Sequence, residues 1–125
     1  MRFVRLRTSL NEIAKAFDIQ MVAYEEVARH RGTAAAHVYG GIRAVITAWA
    51  EDKDPKIPYV GIPVGTIKKK ATGKGNAGKQ PVIDAVRREP PDCLTEQELD
   101  KLSDNVADAI WIARCARDDH MEGLA

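Results

Sequence analysis

The run Ile19–Tyr24 (IQMVAY) is short, continuously apolar but for Gln20, and closed by two acids, Glu25 and Glu26. This is how a strand covered on both faces reads, as parallel strands are. It is flanked by helical patterns. Phe3, Leu6, Leu10, Ile13, Ala14 and Phe17 recur at helical spacing over residues 2–17. Ala35, Val38, Tyr39, Ile42, Val45, Ile46 and Trp49 do the same on a second helix from about Thr33 to Ala50. Beyond the charged turn Glu51–Lys56, the stretch Ile57–Ile62 predicts a second strand, with Pro58 better suited to a sheet edge than to a centre. Helix–strand–helix–strand followed by helices predicts an α/β layer with a small parallel sheet and right-handed crossovers. Two strands make a poor core. Either a second copy of the chain completes the sheet, as in a homodimer, or part of the sheet is missing.

The remainder predicts helices and loops. A short helix follows Pro63, a loop spans Gly73–Gly78, and Pro81 opens a helix carrying Val82, Ile83 and Val86. Thr95 and Glu98 form a capping-box pattern, and Ser103 caps a last helix with Val106, Ala107, Ile110, Trp111 and Ala113. Residues 117–125 read as a loose tail. Gly40-Gly41 sits in mid-helix at a cost of about 1 kcal/mol per glycine, which predicts close approach of a neighbouring backbone there.

Composition narrows the class. With 125 residues, 45% hydrophobic and 30% charged, the chain is long enough for one folded domain and too apolar for a disordered tail. No stretch has the ~20 apolar residues of a membrane span, and two isolated cysteines, Cys93 and Cys115, suit a reducing cytoplasm. The net charge of +1 hides an asymmetry. Gly61–Ile83 holds Lys68, Lys69, Lys70, Lys74 and Lys79 with no acid, whereas Glu89–Asp108 is acidic save for Lys101. Such a pair of stretches suits a chain that binds a polyanion and holds metal cations, or two solvated faces of opposite sign.

The loop Gly73-Lys74-Gly75-Asn76-Ala77-Gly78-Lys79-Gln80 matches both G-x-G-x-x-G and G-x-x-x-x-G-K letter by letter. Neither context fits a nucleotide-binding P-loop or dinucleotide fingerprint. Gln80-Pro81 supplies no hydroxyl for magnesium, and the cationic stretch before the loop is no buried strand. What survives is glycine-rich backbone and lysines ahead of a helix, a seat for phosphate, or else a solvated loop. Glu25 and Glu26 stand at a strand's carboxyl end, and alternation lets only one face a given site. Asp104 and Asp108 share a helix face, with Asn105 beside them. Like charges at this spacing repel, and a cation between them offsets the repulsion. Such oxygen donors suit magnesium or manganese. The histidines show no metal spacing.

Taken in order, MVAYEEV, HVYGGIRAVITAWAE, IPYVGIPVGTIKK, ATGKGNAGK and DNVADAIWIA resemble the RuvC-like Holliday junction resolvases, phage-type proteins in particular, of the RNase H-like superfamily. The resemblance runs from Arg2 to Ala116. It implies a crossover junction endodeoxyribonuclease of DNA recombination and repair, cytoplasmic in a bacterium or phage-encoded. Branched or double-stranded DNA would be its partner, cleaved by two-metal phosphodiester hydrolysis with Mg²⁺ or Mn²⁺. It implies metal ligation and catalysis by Glu25, Asp104 and Asp108, with Lys79 supporting the phosphate and Lys68, Lys69, Lys70, Lys74 and Lys79 meeting DNA. Asn105 stands where the family carries an acid; Asp104, one residue earlier, takes over that face, and Asn105 offers an amide oxygen. Ala28 replaces the family's aromatic wedge. The family's opening three-stranded meander, with its bridging aspartate, has no counterpart before Glu25. The expectation is therefore a partial RNase H-like domain of little nuclease activity. The competing expectation is a non-catalytic nucleic-acid-binding remnant.

Overall fold

The computed structural model describes residues 2–121. The elements run α1 (Arg2–Ala16), β1 (Val22–Glu26), α2 (Thr33–Glu51), β2 (Tyr59–Pro63), α3 (Val64–Thr72), α4 (Lys79–Arg88), α5 (Glu96–Asp100) and α6 (Asp104–His120). The fold is α/β, with β1 and β2 forming a two-stranded parallel sheet. Contacts divide the chain into two compact units, one up to Val60 and one from Gly61 onward.

In the first unit β1 begins three residues later than the apolar run predicts, and it includes both glutamates. Register explains the shift. The ladder opens where the Val22 N–H donates to the Pro58 carbonyl at 3.0 Å, so Ile19 and Gln20 precede any pairing. Pro58 itself lies just outside β2, contributing an acceptor where it has no N–H to give. The strand is half-buried over Val22–Glu25 and exposed at Glu26, short of the two-sided cover expected of it.

α1 packs on α2, and α2 on β1. Asn11 of α1 accepts at Oδ1 from the indole N–H of Trp49 at 2.8 Å and from Lys53 Nζ at 3.2 Å. The Lys53 ammonium lies 4.8 Å from the Trp49 ring centre. These contacts fasten the end of α2, where Trp49 and Ala50 are buried. The rest of the α1 apolar stripe is less covered than its periodicity predicts: no α1 residue is fully buried, and Phe17 keeps 69% of its surface exposed.

The expected close approach at the glycine pair is half right. A Cβ at Gly40 meets nothing, whereas one at Gly41 runs into the Phe3 ring of α1. The neighbour is a side chain and not a backbone, because an aromatic ring spans the gap between the two helices.

The second unit holds most of the buried apolar residues. α3, α4 and α6 pack against one another. Ile67 of α3, Val82, Ile83, Ala85 and Val86 of α4, and Ala107, Trp111, Cys115 and Ala116 of α6 are buried. Each larger side chain among them contributes about 1.5–3 kcal/mol by leaving water. The caps form as their sequence pattern requires. Thr95 and Glu98 complete a reciprocal capping box, and the Ser103 hydroxyl accepts from the Val106 N–H at 3.2 Å. α4 opens two residues before Pro81, with Gly78 as its cap, which a proline in the first turn permits. α6 runs to His120, so the loose tail expected from 117 is helical over 117–120; residues 122–125 lie outside the described residues.

Gly40→Ala should raise stability by about 0.5–1 kcal/mol, the helix propensity recovered at an open position. Gly41→Ala should fall short of that gain, and Phe3→Ala in the same chain should restore it. Urea unfolding of the two single variants and the Phe3→Ala pair measures this coupling.

Candidate functional site

The glycine-rich loop is built as a helix-to-helix connection. α3 leads into it, which removes the strand that a P-loop or dinucleotide fingerprint requires. Gly73 sits at φ 85°, the left-handed position that ends α3, and its N–H donates to the Lys69 carbonyl at 2.8 Å. A Cβ at Gly75 would come within 3.4 Å of the Gly65 carbonyl oxygen, so this glycine lets the loop lie on the first turn of α3. Gly78 then caps α4 with no side-chain acceptor over the first turn. The loop's glycines thus return the chain tightly and deliver Lys79 to the first position of α4.

That placement sets the chemistry of the second unit. Lys79 Nζ lies 3.4 Å from Asp104 Oδ2 at the start of α6. Asp108, one turn on, is half-buried because it borders the stripe of Ala107, Trp111 and Cys115. Burial pushes its carboxyl above the ordinary range, the charge of Asp104 pushes it further, and Lys68 and Lys79 pull it back. Lys68 borders buried Ile67 on α3 in the same way. Two carboxylates and two lysines, from three helices, therefore share one electrostatic neighbourhood. Asn105 is exposed beside it.

The other lysines divide. Lys70 reaches the far end of α6, 3.2 Å from Asp118 and 3.5 Å from Asp119. Asp118 is held down to about 2, first by its hydrogen bond from Arg117 at 2.7 Å and then by Lys70. Lys70 thus links α3 to the last turn of α6 through part-exposed ion pairs. Lys69 and Lys74 are exposed.

In the first unit, Glu25 occupies the fourth position of β1, half-buried, while Glu26 is exposed. The strand end is held by Tyr39 of α2, whose hydroxyl donates to the Glu25 carbonyl at 2.9 Å and accepts from the Val27 N–H at 3.2 Å. Tyr39 reads in the sequence only as part of an apolar stripe; its hydroxyl role has no sequence signal. The Lys79–Asp104 pair is likewise invisible there, since its members lie on separate helices. Among the described residues no three His, Cys, Asp or Glu side chains form a ready group for a metal ion. Asp104 and Asp108 nonetheless suit a cation, since they are hard oxygen donors whose mutual repulsion a positive charge relieves, and Lys79 already brings one there.

No protein-family model and no curated protein matches this sequence. Among solved structures, that of Thermus thermophilus RuvC is similar, with a TM-score of 0.63 and 21% identity, covering 93% of this chain and 68% of that one. The likeness establishes a RuvC-like, RNase H-like fold.

The contacts of Asp118 with Arg117 and then Lys70 carry a pH signature. Asp118 has a folded pKa below its ordinary 3.8, so its stabilising contribution is complete above that value and is lost as pH falls toward about 2. The melting-temperature gap between wild type and Asp118→Asn should be level above about pH 5 and close as pH drops below 4. Thermal unfolding across that range measures it.

Proposed function

We propose that the chain is a metal-dependent, structure-specific nuclease of the RuvC type, acting on branched DNA such as Holliday junctions. The observation that carries this reading is the convergence of Lys68 and Lys79 with Asp104 and Asp108 on a fold similar to RuvC. In it Asp104 and Asp108 would hold Mg²⁺ or Mn²⁺, and Asn105 offers an amide oxygen; Glu25, which the family resemblance marks as a ligand, is tested by its own substitution. When bound, two such ions would activate a water and stabilise the leaving oxygen of a phosphodiester.

The chain's own residues bring the DNA there. The first turn of α4 has no side-chain cap, so the N–H groups of Lys79 and Gln80 face an incoming phosphate at the positive end of the helix. Lys68 and Lys79 add positive charge beside the carboxylates. They keep the phosphate close to groups that would otherwise repel it. Lys69 and Lys74, exposed, extend the cationic surface. Lys70 contributes less, because Asp118 and Asp119 already take its charge.

The test is cleavage of a four-way junction in magnesium. Asp108→Asn and Glu25→Gln should each lose about 100-fold or more, since losing even an outer-shell partner of a metal costs 10–100-fold. Junction binding without cleavage, unaltered by either change, would replace this reading with a non-catalytic DNA-binding role. Binding itself should weaken in Lys68→Ala and Lys79→Ala. The slope of log affinity against log salt should flatten by about 0.9 for each phosphate the variant no longer neutralises. Lys70→Ala should leave that slope nearly unchanged.

A further inference from the structure

α1 and α2 lie side by side and run the same way: Phe3 meets Gly41 and, about two turns on in both helices, Asn11 meets Trp49. Along that seam, over about 12 Å of helix, opens a groove of about 640 Å³. Ligand sites occupy ~300–1,000 Å³. The floor is apolar, made by Phe3, Val4, Val45 and Ala48. The rim is polar, made by Arg7 and Asn11 on α1 and by Asp52 and Lys53 just past the end of α2. We propose that this groove receives the free C-terminus of a peptide chain whose last residue is apolar. The proposal uses residues of the first unit alone and is independent of the nuclease reading.

The chemistry of the rim selects this partner. Asn11 Oδ1 already accepts from the Trp49 indole and from Lys53 Nζ, so the NH₂ of its amide is left over as a donor. Arg7, one turn earlier on the same helix, is exposed and makes no ion pair among the described residues. Two donors one turn apart, one of them charged, match the two oxygens of a carboxylate. Across the groove, Asp52 likewise makes no ion pair among the described residues, and it stands at the end of α2, where the helix dipole favours cations. Its carboxylate therefore gives α2 no stability and is available to accept an N–H. An aliphatic acid has acceptors only, and Asp52 would repel it. A peptide end carries a carboxylate and an amide N–H together, and so satisfies both sides of the groove. Its last side chain covers the floor, where Val4 keeps 52% of its surface exposed. An extended peptide of about three or four residues matches the length of the seam.

The experiment follows the indole N–H signals of the full chain by nuclear magnetic resonance while an N-acetylated tetrapeptide acid ending in leucine is added. The chain has two tryptophans, and Trp49→Phe assigns their signals. The Trp49 signal should move to saturation, since its N–H is bonded to Asn11, while that of Trp111 in the second unit stays in place. The same peptide as its C-terminal amide should bind about tenfold more weakly, the scale of a hydrogen bond to a charged group lost. Arg7→Gln and Asp52→Ala should each weaken the acid about fivefold. Ala48→Leu, which fills the floor at an exposed position, should abolish binding. Equal binding of acid and amide, or no movement of the Trp49 signal at millimolar peptide, would overturn the proposal. So would sedimentation showing a dimer that Ala48→Leu breaks, since the groove would then belong to a second copy of the chain. Matching thermal unfolding of the variants keeps the fold out of the comparison.

Discussion

The packing of α3, α4 and α6 around Ile67, Val82, Val86, Ala107 and Trp111 is what every functional group of the second unit depends on. None of the charged residues there could hold its neighbours in place by electrostatics alone. The Lys79–Asp104 pair is exposed, and exposed pairs contribute about 0–1 kcal/mol. The apolar seam does the positioning instead. Asp108 and Lys68 each border a buried residue, Ala107 and Ile67, so both lie where the seam meets solvent. Their half-burial follows from that margin, and so does the upward push on the Asp108 carboxyl.

This arrangement separates two kinds of lysine that look alike in a run. Lys68, Lys69 and Lys70 are consecutive, yet helical geometry turns each about 100° from the last. Lys68 therefore faces the start of α6, while Lys70 meets Asp118 and Asp119 at its end. One faces the candidate site and the other pairs with the far end of α6. The glycine-rich loop completes the arrangement. Its left-handed Gly73 and close-packed Gly75 let the chain turn within a few residues, so that α4 starts with Lys79 already beside α6.

In the first unit the comparable constraint is a single hydroxyl. Tyr39 uses both its donor and its acceptor on the backbone just at and after Glu25, which ties the end of β1 to α2. A side chain at a strand end is only as well placed as the backbone that carries it. The tie gives Glu25 a defined origin where the chain leaves the sheet.

Much of the architecture was legible from residues alone. Helical periodicity located α2 and α6, the Thr95–Glu98 box and Ser103 marked the starts of α5 and α6, and the apolar run ended by two acids marked β1 with its glutamates. These signals are local, since they depend on side-chain spacing and on backbone groups a few residues away. Asp104 and Asp108 were legible as a pair for the same reason, four residues apart on one helix. The register of β1, the partner of Gly41, the divergence of Lys68 from Lys70 and the pairing of Lys79 with Asp104 were decided only by tertiary structure. Each depends on which surface lies across from the residue. A linear pattern carries no information on that, because packing brings together positions whose separation along the chain leaves no periodic trace.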